Sequence, residues 1–383
     1  MKVLILGDSC GALEAARELA KAGWTVGIGS DSRYGWATAS RWASCWHYIP
    51  APLGNSLEFV QEVNRAAEKF GYELVFGAGD AEVLALSANR DSLIPHHPYT
   101  AHPHVLGVFD KLRLAELTTE AGLRAPATNP LNEASLSEID FPAILKSRLH
   151  WNPDTKNKKT RVRTKIVVNR DDAMRQAQIM RSVGAEPLIQ EMIPGHVHTF
   201  VAITNKTGKI ISKHMQRTTH EYNSESGISA RAVSVPIPED FVLTVQRLLS
   251  NINWFGLASI QFIQPDIGEP ALIDFNGRIY GSLVFANACG MRAMDNWARM
   301  AIGSETIPSS EILGLRYQAL EGDLRRAKKL RGARRVLEIG SCLVEAGRSV
   351  HPILSWSDPM PTLHYLRRLG LRLFGKGIPT YEK

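Results

Sequence analysis

The sequence predicts a mixed α/β (α+β) fold with an N-terminal parallel α/β domain, a central domain of strands and helices and a mostly helical C-terminal extension. Three observations support this prediction. The chain opens with a strand–helix–strand pattern, its middle alternates apolar runs with helical periodicity, and its end is helical in pattern and basic. Its 383 residues, 44% of them hydrophobic and 22% charged, are typical of a globular protein with two or three domains.

The first hundred residues alternate strands and helices. The apolar run Lys2–Leu6 ends at a glycine, residues 11–22 have helical periodicity, and residues 25–28 resume an apolar run. Helices at 57–70 and 81–88, with a strand at 73–76 between them, continue the alternation. The first turn reads GDSCG, without the GxGxxG pattern of dinucleotide-binding folds, and a nicotinamide-dependent enzyme stays as an alternative interpretation.

A proline- and histidine-rich segment, PHHPYTAHPH at 95–104, separates this layer from the rest of the chain. The interleaved prolines favour a linker over a metal site. Beyond it, the periodicity predicts helices at 110–121, 171–183, 240–251 and 295–302, and strands at 143–146, 165–169, 188–191, 200–204, 209–212, 257–263 and 271–278.

The stretch ALIDFNGRIYGS at 271–282 places three polar side chains at alternate positions of an apolar strand. Asp274, Asn276 and Arg278 therefore face the same way, and Gln261 can lie beside them on the preceding strand of a hairpin. Carboxylate and amide oxygens suit Mg²⁺ bound together with phosphates, and a guanidinium suits phosphate or carboxylate oxygens. The alternative interpretation is a polar edge of the sheet.

Two lysines and a strand end precede this hairpin. Lys111 starts a helix, Lys146 ends the strand PAILK, and the segment LIQEMIPG at 188–195 joins two blocks of the chain. An ammonium at the end of an apolar strand is placed to contact a phosphate. The exposed main chain of the joining segment suits recognition of an adenine edge.

Along the chain the two lysines come first, then the joining segment and then the polar hairpin. This order resembles the ATP-grasp superfamily. The glutamine partner is similar to the pattern of carbamoyl-phosphate synthetase large subunits and short carboxylate–amine ligases. The resemblance implies a pre-grasp α/β domain over 1–105, an ATP-grasp domain over 106–305 and a basic extension over 306–383. Within the ATP-grasp domain it implies a small lobe at about 110–190 and a large lobe at about 191–305.

The resemblance also implies ATP and Mg²⁺ (or Mn²⁺) as cofactors. The residues it assigns to ATP are Lys111 and Lys146 for the phosphates, and Gln190, Glu191 and Ile193 for the adenine. Those it assigns to the metal are Gln261, Asp274 and Asn276. Arg278, with Asn276, would steady the transferred phosphoryl group.

The sequence departs from the family in two respects. Asp274 is the only acid among the expected metal ligands. The loop over the phosphates, 152–165, contains no glycine and is rich in Lys and Arg, so that side-chain charge replaces backbone donors or the loop is only a surface segment. Arg217 and Arg231 flank a turn-rich stretch and are assigned to a carboxylate substrate, with surface arginines as the alternative.

Together these features predict an ATP-dependent carboxylate–amine ligase that forms an acyl phosphate and releases ADP and phosphate. The expected substrates are small carboxylates and amines, such as amino acids or peptide-like molecules. The alternative is a nucleotide-binding regulatory or scaffold protein of the same fold, with little ligase activity.

Composition bears on location and partners. Four cysteines without ligand spacing and the absence of a long apolar run predict a cytoplasmic protein. The net charge of +7 is concentrated near the C-terminus, where residues 362–377 have the pattern of a basic amphipathic helix. That segment predicts contact with an anionic membrane or a protein partner, or packing on the chain's own surface. A homodimer stays open, and no nucleic acid is expected because aromatics do not interleave the basic runs.

Overall fold

Three β-sheets, two of four strands and one of six, organise the part of the chain that the structure describes. The structure is a computed structural model that describes residues 1–52, 56–151, 162–223 and 228–373. Most of the glycine-free loop predicted at 152–165 therefore lies outside the described residues, as does the end of the basic segment at 362–377.

The N-terminal sheet is parallel throughout. Its elements are β1 (Lys2–Leu6), α1 (Cys10–Lys21), β2 (Thr25–Ser30), β3 (Cys45–Tyr48), α2 (Ser56–Phe70), β4 (Leu74–Gly77) and α3 (Asp80–Ala88). The strand order is β3-β2-β1-β4, and all three pairings are parallel, which confirms the predicted α/β layer. The sequence does not predict β3, because this short strand at the edge of the sheet has no buried residue to give it an apolar pattern.

Helix α1 lies directly against the segment that follows the polar strand at 271–276. A Cβ atom on Gly11 would lie 2.4 Å from the carbonyl oxygen of Tyr280, so only glycine permits this approach. The N-terminal domain is therefore packed next to the candidate functional residues.

The segment 95–104 is only partly a linker. Helix α4 (His102–Phe109) begins inside it and is followed by α5 (Lys111–Glu120). The linker prediction is wrong over its last three residues, because a proline in the first turn of a helix sacrifices no hydrogen bond. Among its histidines, His97 is buried and stacks on Tyr99, with 4.2 Å between ring centroids.

The small central sheet is antiparallel, with strand order β5-β8-β6-β7. Its elements are β5 (Thr128–Pro130), α6 (Glu133–Glu138), β6 (Ala143–Ser147), β7 (Lys165–Val167), α7 (Arg170–Ser182) and β8 (Pro187–Gln190). It has its own apolar core, separate from the larger cluster that joins the N-terminal sheet to the six-stranded sheet. Two separate cores leave a cleft between the two antiparallel sheets.

The large sheet is antiparallel, with strand order β13-β12-β9-β10-β11-β14. Its elements are β9 (His196–Thr204), β10 (Ile210–Asn223), β11 (Ile228–Ser234), α8 (Glu239–Asn251), β12 (Gly256–Gln264), β13 (Ala271–Asn276), α9 (Leu283–Ala288), α10 (Ala293–Ala301) and β14 (Arg316–Gln318). Strand β10 runs well beyond the predicted 209–212, because its second half pairs with β11 on a long ribbon interrupted by register shifts.

Three further helices follow in the described part of the chain, α11 (Leu320–Lys328), α12 (Gly332–Ala346) and α13 (Pro359–Leu373). The extension also contributes β14 to the large sheet, and its Asp358 forms a buried 2.9 Å ion pair with Arg17 of α1. None of the described helices has both the length and the apolar character needed to cross a membrane. The domain boundaries at 105 and 305 stay a prediction.

Candidate active site

A cavity of about 330 Å³ lies in the cleft between the small and large sheets. Both sheets line it, together with the start of α5 and the segment that joins β8 to β9. It brings together seven of the residues predicted from the sequence: Lys111, Lys146, Gln190, Glu191, Ile193, Gln261 and Asp274.

The polar strand pairs with its neighbour in the predicted way. In the antiparallel hairpin of β12 and β13, Gln261 lies opposite Asp274. The Asn276 amide nitrogen donates to Asp274 Oδ2 at 3.1 Å, and Arg278 Nη2 donates to Asn276 Oδ1 at 3.0 Å. Strand β13 ends at Asn276, so Arg278 reaches this row of side chains from just beyond the strand.

Both lysines converge on the same strand. Lys111 forms an ion pair with Asp274, and Lys146 Nζ donates to the carbonyl oxygen of Ile273 at 3.3 Å. Lys111 is positioned because Asp110 caps its helix and is itself held by Arg148. Two ammonium groups thus face one carboxylate at the cavity wall.

This crowding of charge changes the pKa values of the site. Burial, together with the nearby charge of Lys111, lowers the pKa of Lys146 to about 7, although Asp274 opposes the effect. Burial would raise the pKa of Asp274, but the positive charges of Lys111, His150 and Lys146 outweigh it and lower that pKa to about 2. Asp274 is therefore ionised at neutral pH, whereas Lys146 is close to its titration midpoint.

A second ion pair holds Arg278 from the N-terminal domain. Its Nε donates to Asp80 Oδ1, and His150 Nδ1 lies 2.7 Å from Asp80 Oδ2. Burial would raise the pKa of Asp80, but the charge of Arg278 and the hydrogen bond to His150 hold it well below its usual range. Neither Asp80 nor His150 was predicted from the sequence. The signal for Asp80 was its place just after β4, since ligand-binding groups gather at the carboxyl ends of parallel strands.

The segment after β8 forms one wall of the cavity. Gln190 is buried and its amide donates to Thr128 Oγ1 at 2.6 Å. The Glu191 carboxylate is engaged by Arg124 at 3.2 Å and by the amide of Ala127 at 3.2 Å. The structure thus fixes the side chains of Gln190 and Glu191 against β5 and the residues just before it.

Glu221, at the far end of β10, also lines the cavity. Burial raises the pKa of this carboxyl, and the nearby His196 opposes the rise. Glu221 is the acidic group that the structure adds at that end of the cavity.

The two arginines predicted to bind a carboxylate do not line the cavity. Arg217 is exposed on β10. Arg231 is buried, and its guanidinium contacts Asp323, Glu338 at 3.3 Å and Cys342 Sγ at 3.3 Å. Its donors are already used by the C-terminal helices, so these contacts do not support the substrate role predicted for Arg231. The same contacts explain the acidic cluster around Cys342 as an ion-pair network instead of a metal site.

Two antiparallel sheets that enclose a cleft, preceded by a parallel α/β sheet, make up the ATP-grasp fold, as the sequence predicted. Three solved structures resemble the chain over most of its length. The N5-carboxyaminoimidazole synthetase of Staphylococcus aureus, complexed with ADP, has a TM-score of 0.64 and 14% identity over 82% of this chain and 80% of its own. The N5-carboxyaminoimidazole ribonucleotide synthetase of Thermus thermophilus has a TM-score of 0.62 and 15% identity, covering 91% of this chain and 98% of its own.

The third structure is the L-amino acid ligase of Bacillus licheniformis, with a TM-score of 0.61 and 13% identity over 80% of this chain and 75% of its own. No family model and no curated protein matches the sequence. At these identities the likeness shows the fold alone.

Proposed function

We propose that the chain is an ATP-dependent ligase that activates a carboxylate as an acyl phosphate and joins it to an amine. The observation that carries this proposal is the cavity that collects two lysines, the segment after β8 and the polar strand β13. The ADP complex of the similar S. aureus structure supports a nucleotide in this cleft. Amino acids or peptide-like molecules are the substrates we expect, and the protein is expected in the cytoplasm.

ATP would lie with its adenine against the segment 190–193 and its phosphates toward Lys111 and Lys146. Glu221 would accept hydrogen bonds from the ribose hydroxyls. The substrate carboxylate would attack the γ-phosphorus and form the acyl phosphate with release of ADP. The amine would then attack the acyl carbon and displace phosphate. In such a reaction the protein contributes positioning and neutralisation of the phosphoryl charge, which lysine and arginine supply.

The proposed metal ligands fit Mg²⁺ in their chemistry. Asp274, Asn276 and Gln261 offer one carboxylate and two amide oxygens, an oxygen set that suits Mg²⁺ shared with phosphates. Bound Mg²⁺ would supply positive charge to the phosphate oxygens. In the structure, the Lys111 ammonium forms an ion pair with the Asp274 carboxylate. In this proposal Lys111 transfers from Asp274 to the phosphates when the nucleotide and its metal bind.

Metal-free ATP should bind more weakly as the pH rises above 7. The pKa of Lys146 is about 7 in the free protein, and phosphates beside it raise this pKa, so binding above pH 7 must take up a proton. The contribution of this charge to affinity is therefore fully present below pH 7 and falls by up to about ten-fold per pH unit above it.

Calorimetry at pH 6 and pH 8.5, in buffers of different ionisation enthalpy, measures this proton uptake. Lys146→Met should abolish it, and Lys209→Met, which changes an exposed lysine outside the cavity, should leave it unchanged. Equal proton uptake by wild type and Lys146→Met would show that another group titrates.

The ligase proposal is tested by ADP release. Mg²⁺ and ATP are supplied with pools of amino acids and dipeptides, with and without added hydroxylamine. A substrate carboxylate should stimulate ADP release, and hydroxylamine should trap the acyl phosphate as a hydroxamate. Nucleotide binding without stimulation by any carboxylate would instead support the regulatory or scaffold alternative, which the neutral Gln261 favours.

The structure leaves little space for a nicotinamide cofactor at the turn after β1. The Asp8 carboxylate, in the turn after β1, accepts hydrogen bonds from the amides of Ala37 at 2.6 Å and Thr38 at 3.2 Å. A Cβ atom on Gly35 would overlap the Asp8 side chain, so the chain's own loop fills this turn. Thermal unfolding with ATP or NAD(P) separates the two interpretations, because a bound ligand raises the midpoint.

A further inference from the structure

A row of large apolar side chains is exposed on the outer face of α12. The exposed fractions are 70% for Val336, 74% for Leu337, 60% for Leu343 and 59% for Val344. Spaced by one, seven and eight residues, these positions lie on one side of an α-helix. Gly340, in the middle of the row, is also exposed and meets no atom within 4 Å of where its Cβ would be. The row is therefore an uncovered apolar face two turns long.

The opposite side of α12 holds it to the protein. Cys342 is buried there, Glu338 contacts Arg326 and Arg231, and Glu345 forms a 3.0 Å ion pair with Arg316. Both acidic residues of the helix are thus used in contacts with the body of the protein. The apolar face itself carries no negative charge.

Positive charge surrounds the start of this face. Lys328, Lys329, Arg331 and Arg334 are exposed, and within the described part of the chain none of them forms an ion pair. An apolar helical face next to a cluster of unpaired cations has the character of a helix that lies in the surface of an anionic bilayer.

We propose that the outer face of α12 docks on an anionic lipid surface, with Val336, Leu337, Leu343 and Val344 among the acyl chains and the four cations against lipid headgroups. A second copy of the chain fits this face less well. Parallel pairing of two α12 helices would bring their basic first turns together, and antiparallel pairing would bring Arg334 near Arg348 of the other copy. Anionic headgroups neutralise these charges in a way that self-pairing does not. This proposal is independent of the ligase reaction, since α12 does not line the cavity.

Co-sedimentation of the full chain with vesicles tests the proposal. Vesicles of phosphatidylcholine with phosphatidylglycerol should bind the protein, and vesicles of phosphatidylcholine alone should not. The double variant Leu337→Glu/Leu343→Glu should lower the partition coefficient at least about ten-fold, because apolar burial and charge both become unfavourable. The variant Arg331→Glu/Arg334→Glu should lower the partition coefficient by a similar factor. High salt should remove this difference, because it screens the charges and the wild type then no longer binds the vesicles.

Helix α8 supplies matched controls. Leu243→Glu changes a leucine that is 61% exposed on α8, and Arg247→Glu changes an exposed arginine of the same helix. Both should bind vesicles like the wild type, and unchanged thermal midpoints would show that the α12 variants fold.

Three results would overturn the proposal. They are equal binding to neutral vesicles, wild-type binding by the α12 variants, and no binding of the wild type to anionic vesicles. If light scattering then shows a dimer that the α12 variants lose, the face belongs to a second copy.

Discussion

Asp274→Asn should lower the rate of ATP-dependent turnover at least about a hundred-fold while weakening the binding of metal-free ATP less than about ten-fold. Asp274 is the only carboxylate among the proposed metal ligands and the counter-ion of Lys111. Its loss removes the negative charge that would hold the metal against the phosphates. The two lysines and the segment after β8, which would contact ATP directly, remain.

The same substitution has a second effect that does not require activity. Without Asp274, nothing opposes the influence of Lys111 on Lys146, whose pKa should fall further below its present value of about 7. The pH at which metal-free ATP starts to bind more weakly should therefore move to lower pH. Calorimetric titrations across pH 5.5 to 8.5 measure this shift.

Asp266→Asn is the matched control for Asp274→Asn. Asp266 is an exposed acid in the turn that joins β12 to β13, so its substitution changes the same hairpin without touching the cavity. Asp266→Asn should leave both the turnover rate and the pH dependence of ATP binding unchanged. Unimpaired turnover in Asp274→Asn would contradict the assignment of β13 to the metal and phosphate site.

Asp80→Asn should lower the free energy of unfolding by about 3 kcal/mol, because it leaves the buried Arg278 without its carboxylate partner. The pKa of Asp80 is held well below its usual range in the folded protein. A depressed carboxyl pKa stabilises the fold above the unfolded pKa of about 3.9, and this contribution is lost only as the pH falls through the folded value. The difference in the free energy of unfolding between the wild type and Asp80→Asn should therefore persist from pH 7 to about pH 4 and shrink below pH 4.

Denaturant unfolding of four proteins measures this effect: the wild type, Asp80→Asn, Arg278→Met and the double variant. If the two side chains stabilise each other, the double variant should lose less free energy than the sum of the single losses. Asp91→Asn, which changes an exposed acid of the same domain, should unfold like the wild type. Additive losses would show that the Asp80–Arg278 contact contributes little.

Neither Asp80 nor Arg278 is among the residues that line the cavity, but Arg278 donates to Asn276 beside Asp274. Asp80 would therefore act on the reaction only by positioning Arg278. For Asp80→Asn we expect a lower kcat with little change in the KM for ATP. A fall in kcat together with an equally large rise in the KM for ATP would indicate a general disturbance of the site.

The hairpin of β12 and β13 could be predicted because residues that are close together in the sequence determine it. Alternation by two sets the shared face of Asp274 and Asn276, and a short turn sets the antiparallel pairing with Gln261. The lysines could be predicted for a similar reason, since each sits at the end of a helix or strand that its own neighbours define.

The residues that were missed or misassigned depend on contacts far apart in the sequence. Asp80 meets Arg278 across 198 residues, and Arg231 meets Asp323 across 92. Nothing near Arg231 in the sequence distinguishes an arginine that is free to bind substrate from one neutralised by a later helix. The start of α4 was misjudged for a local reason, because a proline in the first turn was interpreted as a linker residue.

The buried ion pair between Arg17 and Asp358 has a consequence for biosynthesis. Arg17 is translated 341 residues before its partner. A guanidinium in this position is costly to bury until its carboxylate arrives, because an unpaired charge in the protein interior loses its hydration. The packing around α1 can therefore be completed only after the ribosome has released residue 358. We expect the N-terminal sheet to stay incompletely packed until residue 358 has been synthesised.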